Sequence, residues 1–253
     1  MTRRLMTRRA ALTGLVASPM ILSGCDRLGQ SPSFRNIVLS SGEWLSYRMH
    51  RLFGANAMAR EYTEAEMSPD FRTNGSTRPQ SAEYQRHLAN GFATWSLKVS
   101  GLVEEPQAIP LADLRAMPSR TQITRHDCVE GWSAIGKWTG VPLGAVLDRV
   151  MLKPEARYIV FRCADALGLS PYYESIDLVD AFHPQTILAY GMNGSDLSQG
   201  HGAPIRLRVE RQLGYKHAKF IMEIEAVDSL SDIGLGRGGY WEDTGFYEWY
   251  AGI

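Results

Sequence analysis

From Trp95 onward the apolar residues fall into short, ordered runs, whereas the segment before it does not. Trp95, Leu97 and Val99 alternate with polar neighbours, the period of a half-buried strand, and Gly101 ends the run in a turn. Leu111 to Arg115 predicts a short helix and Gln122 to Thr124 a strand. Pro142 to Val150 predicts an amphipathic helix with Leu143, Val146, Leu147 and Val150 on one face. Arg157 to Cys163 reads as a strand, Ser175-Ile176-Asp177 as the opening of a helix through Phe182, and Ile187 to Met192 as an extended run closed by a turn at Asn193-Gly194. Ile205 to Glu210 and Phe220 to Ala226 add two strands of period two. Strands interspersed with short, unevenly spaced helices, without regular β-α-β units, predict an α+β domain of mixed sheets.

Upstream, Asp26 to Asn90 is polar and broken by Gly42, Gly54, Pro69, Asn74-Gly75 and Pro79, with short helical stretches such as Ser81 to Ala89. The expected organisation is a leader over 1–24, a linker and N-terminal arm over 25–90, and a catalytic domain over 91–253 to which the arm contributes from about residue 71. Arg3, Arg4, Arg8 and Arg9 precede an apolar stretch from Ala10 to Gly24, shorter than the roughly 20 residues of a membrane-spanning helix and interrupted by Gly14 and Pro19. Thr7 to Leu12 resembles a twin-arginine export motif, and Leu22-Ser23-Gly24-Cys25 a lipoprotein cleavage box. Their order predicts a periplasmic protein exported folded by the twin-arginine route and attached to the membrane only by a lipid tether at Cys25. The alternative is a frayed basic start with a buried Cys25.

Composition narrows the function. Among 253 residues, 27 bases balance 27 acids, so no strongly basic face is offered and nucleic acid is excluded as a partner. Without the four leader arginines, 23 bases face 27 acids, a formal charge of −4 that suits a soluble periplasmic body. Beyond Cys25 only Cys128 and Cys163 remain, too few for a disulfide framework; either they pair with each other or one of them has a ligand. The tail from Gly234 is rich in glycine and aromatics, which as packing residues would cover the core.

The stretch Thr124-Arg125-His126-Asp127-Cys128-Val129-Glu130-Gly131-Trp132 sets a thiol among charged and aromatic residues just after a strand. Arg125, or a protonated His126, would lower its pKa toward the thiolate, while Asp127 and Glu130 would oppose this. Zinc is disfavoured because no Cys-x2-Cys or His-Glu-x2-His spacing occurs. A Cys–His nucleophile using His183, His201 or His217 stays open. A soft metal whose other ligands come from an organic cofactor needs a single protein thiolate.

Cys128-Val129-Glu130-Gly131-Trp132-Ser133, then Trp138-x-Gly140-x-Pro142-Leu143, resembles the cofactor-cysteine segment of the superfamily of sulfite oxidases and periplasmic methionine sulfoxide reductases. His183-Pro184-Gln185-Thr186 with Gly191-Met192-Asn193-Gly194 is similar to the family's central segment. Gly202-Ala203-Pro204-Ile205-Arg206-Leu207 with Gly214-Tyr215-Lys216-His217-Ala218-Lys219 is similar to its pterin-binding stretch. The resemblance spans about Phe71 to Tyr247. It implies a sulfite-oxidase-like molybdopterin-binding domain carrying molybdenum–molybdopterin (Mo-MPT), with Cys128 on the metal. It implies also that Arg206, Lys219 and the backbone near His217 and Ala218 hold the pterin and its phosphate. His201 and Cys163 would line the cofactor, and Asn74 would contact it. For Cys163 a buried structural thiol, and for Asn74 a plain Asn-Gly turn, are the alternatives.

The family's chemistry is oxygen-atom transfer. Sulfite oxidases surround their anion with arginines, but Gly131, Trp132 and Ser133 follow the cysteine here, and Thr73 stands where the N-terminal arginine is expected. The resemblance is closer to the reductase branch, whose neutral S-oxide needs no cationic cage. That branch has a tyrosine where this chain has Thr244, leaving Tyr247 as the candidate phenol or as a packed ring. No Cys-x2-Cys-His haem motif occurs, so a separate electron-transfer partner, such as a membrane haem subunit, is expected. Sulfite oxidation is the alternative reaction, and a non-catalytic lipid-anchored binding module the alternative class.

Overall fold

The computed structural model describes residues 32–253 apart from 169, so the export motif and Cys25 lie outside the described residues. The chain divides into two compact units between Leu52 and Phe53. Where short irregular stretches are expected, helix α1 (Pro32–Gly54) runs for 23 residues. Gly42 is tolerated within it, because one helical glycine costs only about 1 kcal/mol relative to alanine. Ile37, Val38, Trp44, Leu45, Met49 and Leu52 are exposed on it. No described helix is long and apolar enough to cross a membrane.

The second unit is built on two five-stranded sheets. Its elements are α2 (Ala82–Ala89), β1 (Ser96–Gly101), β2 (Gln107–Pro110), α3 (Leu111–Ala116), β3 (Arg120–Asp127), β4 (Ser133–Pro142), α4 (Leu143–Val150), β5 (Tyr158–Leu167), β6 (Ser170–Asp177), α5 (Leu178–Ala181), β7 (Ile187–Met192), β8 (Ser195–Asp196), β9 (Arg206–Arg208), β10 (Ile221–Val227) and α6 (Tyr240–Asp243). One sheet has the order β2-β1-β10-β5-β6, with β1 and β10 parallel and its other pairs antiparallel. The other runs β3-β4-β7-β8, with β9 also on β7. This is the α+β arrangement of mixed sheets and short helices that the patterning predicts.

The main core joins Leu97, Val99, Ile159, Phe161 and Ile224 of the first sheet to the four apolar residues of α4 and to Leu188, Ile205 and Leu207. A smaller core collects Trp138, Ile187, Ala189, Met192 and Leu197, with Phe71 packed on it. Residues 59–68 also join the second sheet. Tyr62 N–H donates to Ile123 O at 2.8 Å and Ser68 N–H to Ile135 O at 3.0 Å.

Three elements depart from the expected pattern. Ser175, Ile176 and Asp177 are the end of β6 rather than a helical turn, and the helix begins at Leu178, where the Asp177 carboxylate caps Asp180 N–H at 2.9 Å. Ser175 and Ile176 are fully buried between layers, so strand pairing overrides a plausible helix start. Strand β4 is unannounced because Gly136, Lys137 and Gly140 dilute its alternation, yet Ala134, Gly136, Trp138 and Gly140 all point inward. Expected strand Ile205–Glu210 shrinks to three paired residues.

Gly140 sits at a register shift where β4 crosses β7, and a Cβ there would lie 2.6 Å from Ala189 Cα and closer still to Leu188 O. Only a hydrogen fits between these backbones. Gly140→Ala is expected to lower stability by about 3 kcal/mol, the upper range for overpacking, read from the urea midpoint at unchanged slope.

Candidate active site

Strand β3 delivers Cys128 to a tight turn in which Cys128 N–H donates to Trp132 O (2.9 Å) and Gly131 N–H to Cys128 O (3.0 Å). Gly131 has φ +85°, a left-handed conformation that a side chain would strain. The turn leaves Cys128 at the wall of a cleft, 7% exposed. Asn74, Gly75 and Ser76 of the arm form another wall. Asp165, Leu167 and Tyr172 come from the β5–β6 hairpin, Gly214, Tyr215, His217 and Lys219 from the segment before β10, and Trp241 and Tyr247 from the tail. Asn74 Nδ2 approaches Cys128 Sγ at 3.8 Å. Five of the residues named from the sequence, Asn74, Cys128, His217, Lys219 and Tyr247, therefore meet in one cleft.

The thiol's electrostatics differ from the expectation. Burial, its largest influence, raises the Cys128 pKa against the Glu130 backbone N–H, which lowers it; the Glu130 charge adds to the rise and the Asn74 amide opposes it more weakly. Arg125 supplies no positive charge to the thiol, because its guanidinium pairs with Asp127 at 2.9 Å in solvent. His126 supplies none either. It is buried and, by desolvation and then the charges of Arg208, Arg206 and Lys219, held neutral with a pKa well below the usual histidine value. A thiol in this setting becomes a thiolate when a metal takes the proton's place.

Behind the cleft lies a store of buried positive charge. Arg206 and Arg208 stack over the Trp138 ring, with Cζ 5.0 and 4.4 Å from its centroid. Arg208 is paired with Glu210, both side chains being fully buried, and its Nη1 donates to His126 Nδ1 at 3.0 Å. Arg206 donates only to His201 O (3.1 Å), leaving Nε without a partner. Its pKa falls to about 9, through burial and then Arg208. Lys219 Nζ donates to the carbonyls of Asn74 (2.6 Å), Ser76 (2.5 Å) and Gly200 (3.3 Å). Among the described residues, no carboxylate reaches Arg206 or Lys219 within 4.0 Å.

His217 Nε2 donates to Gln212 O at 3.0 Å, leaving Nδ1 buried and unpartnered, and Asp165 Oδ1 is likewise orphaned. Burial raises Asp165 to about 6 against the pull of Lys219. A polar heterocycle ending in a phosphate answers each of these: ring N–H groups for Asp165, a donor for His217 Nδ1, and an anion for Lys219 and Arg206. The residues thus fit molybdopterin. No group of three or more His, Cys, Asp or Glu able to hold a metal occurs among the described residues.

Other named residues take different places. His201 Nε2 donates to Phe71 O (3.0 Å) while Ser198 Oγ bonds Nδ1 (2.8 Å), so both ring nitrogens are engaged away from the cleft wall. His217 N–H donates to Gly214 O and Ala218 N–H to Lys216 O (both 3.1 Å), so the turn itself consumes the backbone donors that the sequence offered to the phosphate. Cys163 is free, as is Cys128, and it borders two clefts other than that of Cys128. Thr244 faces one of those clefts and bonds Trp241 O at 2.7 Å, whereas Tyr247 stacks on Tyr215 with ring centroids 4.6 Å apart at the Cys128 cleft. Asp165, Tyr172 and Trp241 carry no motif in the sequence, and only packing brings them to the thiol.

The model of the oxidoreductase molybdopterin binding domain matches residues 85–233. A protein of Azospira oryzae designated a protein-methionine-sulfoxide reductase subunit, YedZ1, is 36% identical over 99% of this chain and 87% of its own length. The protein-methionine-sulfoxide reductase catalytic subunit MsrP of Xanthomonas axonopodis pv. citri is 32% identical over 89% of this chain and 71% of its own length. Among solved structures, the sulfane dehydrogenase SoxCD from Paracoccus pantotrophus superposes with a TM-score of 0.50 at 25% identity, covering 54% of this chain and 39% of that one. The thiolate turn, the uncompensated cations and these relationships converge: the chain belongs to the oxidoreductase molybdopterin-binding family, enzymes of the sulfite oxidase type.

Proposed function

We propose that the chain is an exported reductase of neutral S-oxides, with Cys128 as the protein ligand to molybdenum. The observation that carries this reading is the lining of the Cys128 cleft. It holds two carboxylates, Glu130 and Asp165, four aromatic rings, Tyr172, Tyr215, Trp241 and Tyr247, and one lysine whose ammonium is bound to backbone carbonyls. No arginine lines it. With Lys219 and Asp165 committed to the cofactor, an anion such as sulfite would meet Glu130 and no free cation of the lining, whereas the substituents of a neutral sulfoxide would pack on rings. The names of the two reductase relatives support the same substrate class.

When bound, the cofactor supplies two-electron oxygen-atom transfer. Asn74 would donate to the coordinated sulfur, Asp165 and His217 would hold the pterin, and Lys219 with Arg206 would neutralise its phosphate. Tyr247 would place a phenol near the substrate oxygen. For the residues outside the described structure, the order of arginine pair, apolar stretch and Cys25 supports export to the periplasm and a lipid tether. The leader would end at 24, the arm at about 90, and the catalytic domain would occupy 91–253. Electrons would come from a separate partner, a membrane haem subunit, a reading supported by the subunit designation of the Azospira relative.

Protein matured with its cofactor machinery should contain one molybdenum per chain and reduce methionine sulfoxide with a reduced viologen dye. Cys128→Ser should abolish both the metal signal and turnover while leaving the fold intact by circular dichroism. Stoichiometric metal with rapid sulfite oxidation and no sulfoxide reduction would refute the assignment.

Lys219 gives a pH signature in cofactor-free protein. Burial, then Arg206, holds it down from 10.5 to about 7. A lysine lowered on folding destabilises the fold fully below the folded pKa, and the penalty is relieved as pH climbs from 7 toward 10.5. Lys219→Met should therefore raise the thermal midpoint relative to the parent more at about pH 6 than at about pH 10.

A further inference from the structure

Next to the Cys128 cleft, three charged side chains are sealed from water. Lys216 Nζ lies 2.7 Å from Glu174 Oε2 and 2.7 Å from Glu242 Oε1, with side-chain exposures of 0% for Lys216 and Glu174 and 2% for Glu242. Two carboxylates against one ammonium leave a formal charge of −1 in a site without solvent, an arrangement that costs several kcal/mol per unpaired ion. Glu174 Oε2 and Glu242 Oε2 are also the two oxygens of the cluster that no oriented hydrogen bond satisfies. They border the same point, since a Cβ on Gly239 would sit 2.7 Å from the first and closer to the second, and both carboxyls pair with the same ammonium. One proton between them would remove both the excess charge and the unsatisfied oxygens.

Tyr172 links this cluster to the cleft. Its hydroxyl is 3.4 Å from Glu174 Oε1 and donates to Tyr215 O at 2.9 Å, and both tyrosines line the Cys128 cleft. We propose that Glu174 and Glu242 hold one shared proton at neutral pH and that Tyr172 passes it into the Cys128 cleft when the site is reduced. Glu174 and Glu242 are thereby positioning and supply groups rather than groups that touch substrate.

The groups facing the pair are Lys216 and Tyr215 from the turn, Tyr172 and Tyr173 on β6, Cys163 and Asp165 on β5, Asp243 on α6, and Trp249 of the tail. Burial first, and then Glu242, raises Glu174 well above the carboxylate range, although Lys216 opposes it. For Lys216 the carboxylates outweigh burial, so the ammonium stays charged and the proton resides on the acids. Its use rests on the reaction proposed above, in which a sulfoxide, two electrons from the separate donor and two protons give a sulfide and water. One of the two protons would come from this pair, which is refilled through Tyr172 from the Cys128 cleft.

Infrared spectroscopy tests the proton without turnover. Wild-type protein at neutral pH, with or without cofactor, should show a deuterium-sensitive carboxylic-acid C=O band that Glu174→Gln removes. That variant keeps the Lys216–Glu242 pair neutral, so it should fold. Reducing the metal of the loaded enzyme with dithionite should perturb the band in wild type and leave it unmoved in Tyr172→Phe. In sulfoxide reduction, both variants should lower kcat on the order of 10-fold with KM unchanged and alter the pH profile. Absence of the band, or a band that responds to reduction equally in Tyr172→Phe, overturns the proposal. A band that behaves as described in an enzyme that does not reduce sulfoxides overturns the substrate reading and leaves the proton site standing.

Discussion

Buried positive charge without matching carboxylates is the constraint around which this molecule is arranged. Arg208 has Glu210, but Arg206 and Lys219 are desolvated against carbonyls and aromatic faces, with no carboxylate among the described residues in ion-pair contact and Asp165 acting on Lys219 only at longer range. A fold rarely keeps such charges unless something anionic completes them, because each costs far more to bury than an apolar residue of the same volume would gain. Under the function proposed above, the phosphate of a pterin cofactor would supply that completion, and folding and cofactor binding would then be coupled parts of one equilibrium.

The same charge organises the histidines. His126 and His217 lie edge to face with ring centroids 5.1 Å apart, and burial first, then the neighbouring guanidinium groups, keeps both neutral. Neutral imidazoles can accept as well as donate, which leaves His217 Nδ1 an acceptor at the cleft wall. The acids Glu174 and Glu242 pair with Lys216 beside the cleft. Tyr172, Tyr215, Trp241 and Tyr247 give the cleft aromatic walls next to these strongly polar groups.

The tail matters for the same reason. Asp243 bonds Tyr173 OH and the N–H groups of Leu235 (2.8 Å) and Arg237 (3.1 Å), clasping the glycine-rich segment onto β6. Glu242 then reaches Lys216, and Trp241 reaches the cleft. A stretch that composition presents as plain aromatic packing therefore supplies one cleft wall and one member of the acidic cluster.

By itself the sequence determined the mixed α+β class, most strand and helix positions, and the grouping of Asn74, His217, Lys219 and Tyr247 with the Cys128 thiol in one cleft. Those depend on local periodicity, on turn chemistry, and on ordered motifs that keep their spacing along the chain. Only the tertiary structure decided what surrounds them. Asp165, Tyr172, Glu174 and Trp241 stand in ordinary strand and tail contexts, and their meaning arises from strand pairing and from the docking of the tail onto β6. The thiol's environment also had to be seen folded. Adjacency along a strand placed Arg125 beside Cys128, but alternate residues face opposite sides of a sheet, so the nearer charge turned to solvent, and burial together with Glu130 and Asn74, 54 positions away, governs the thiol.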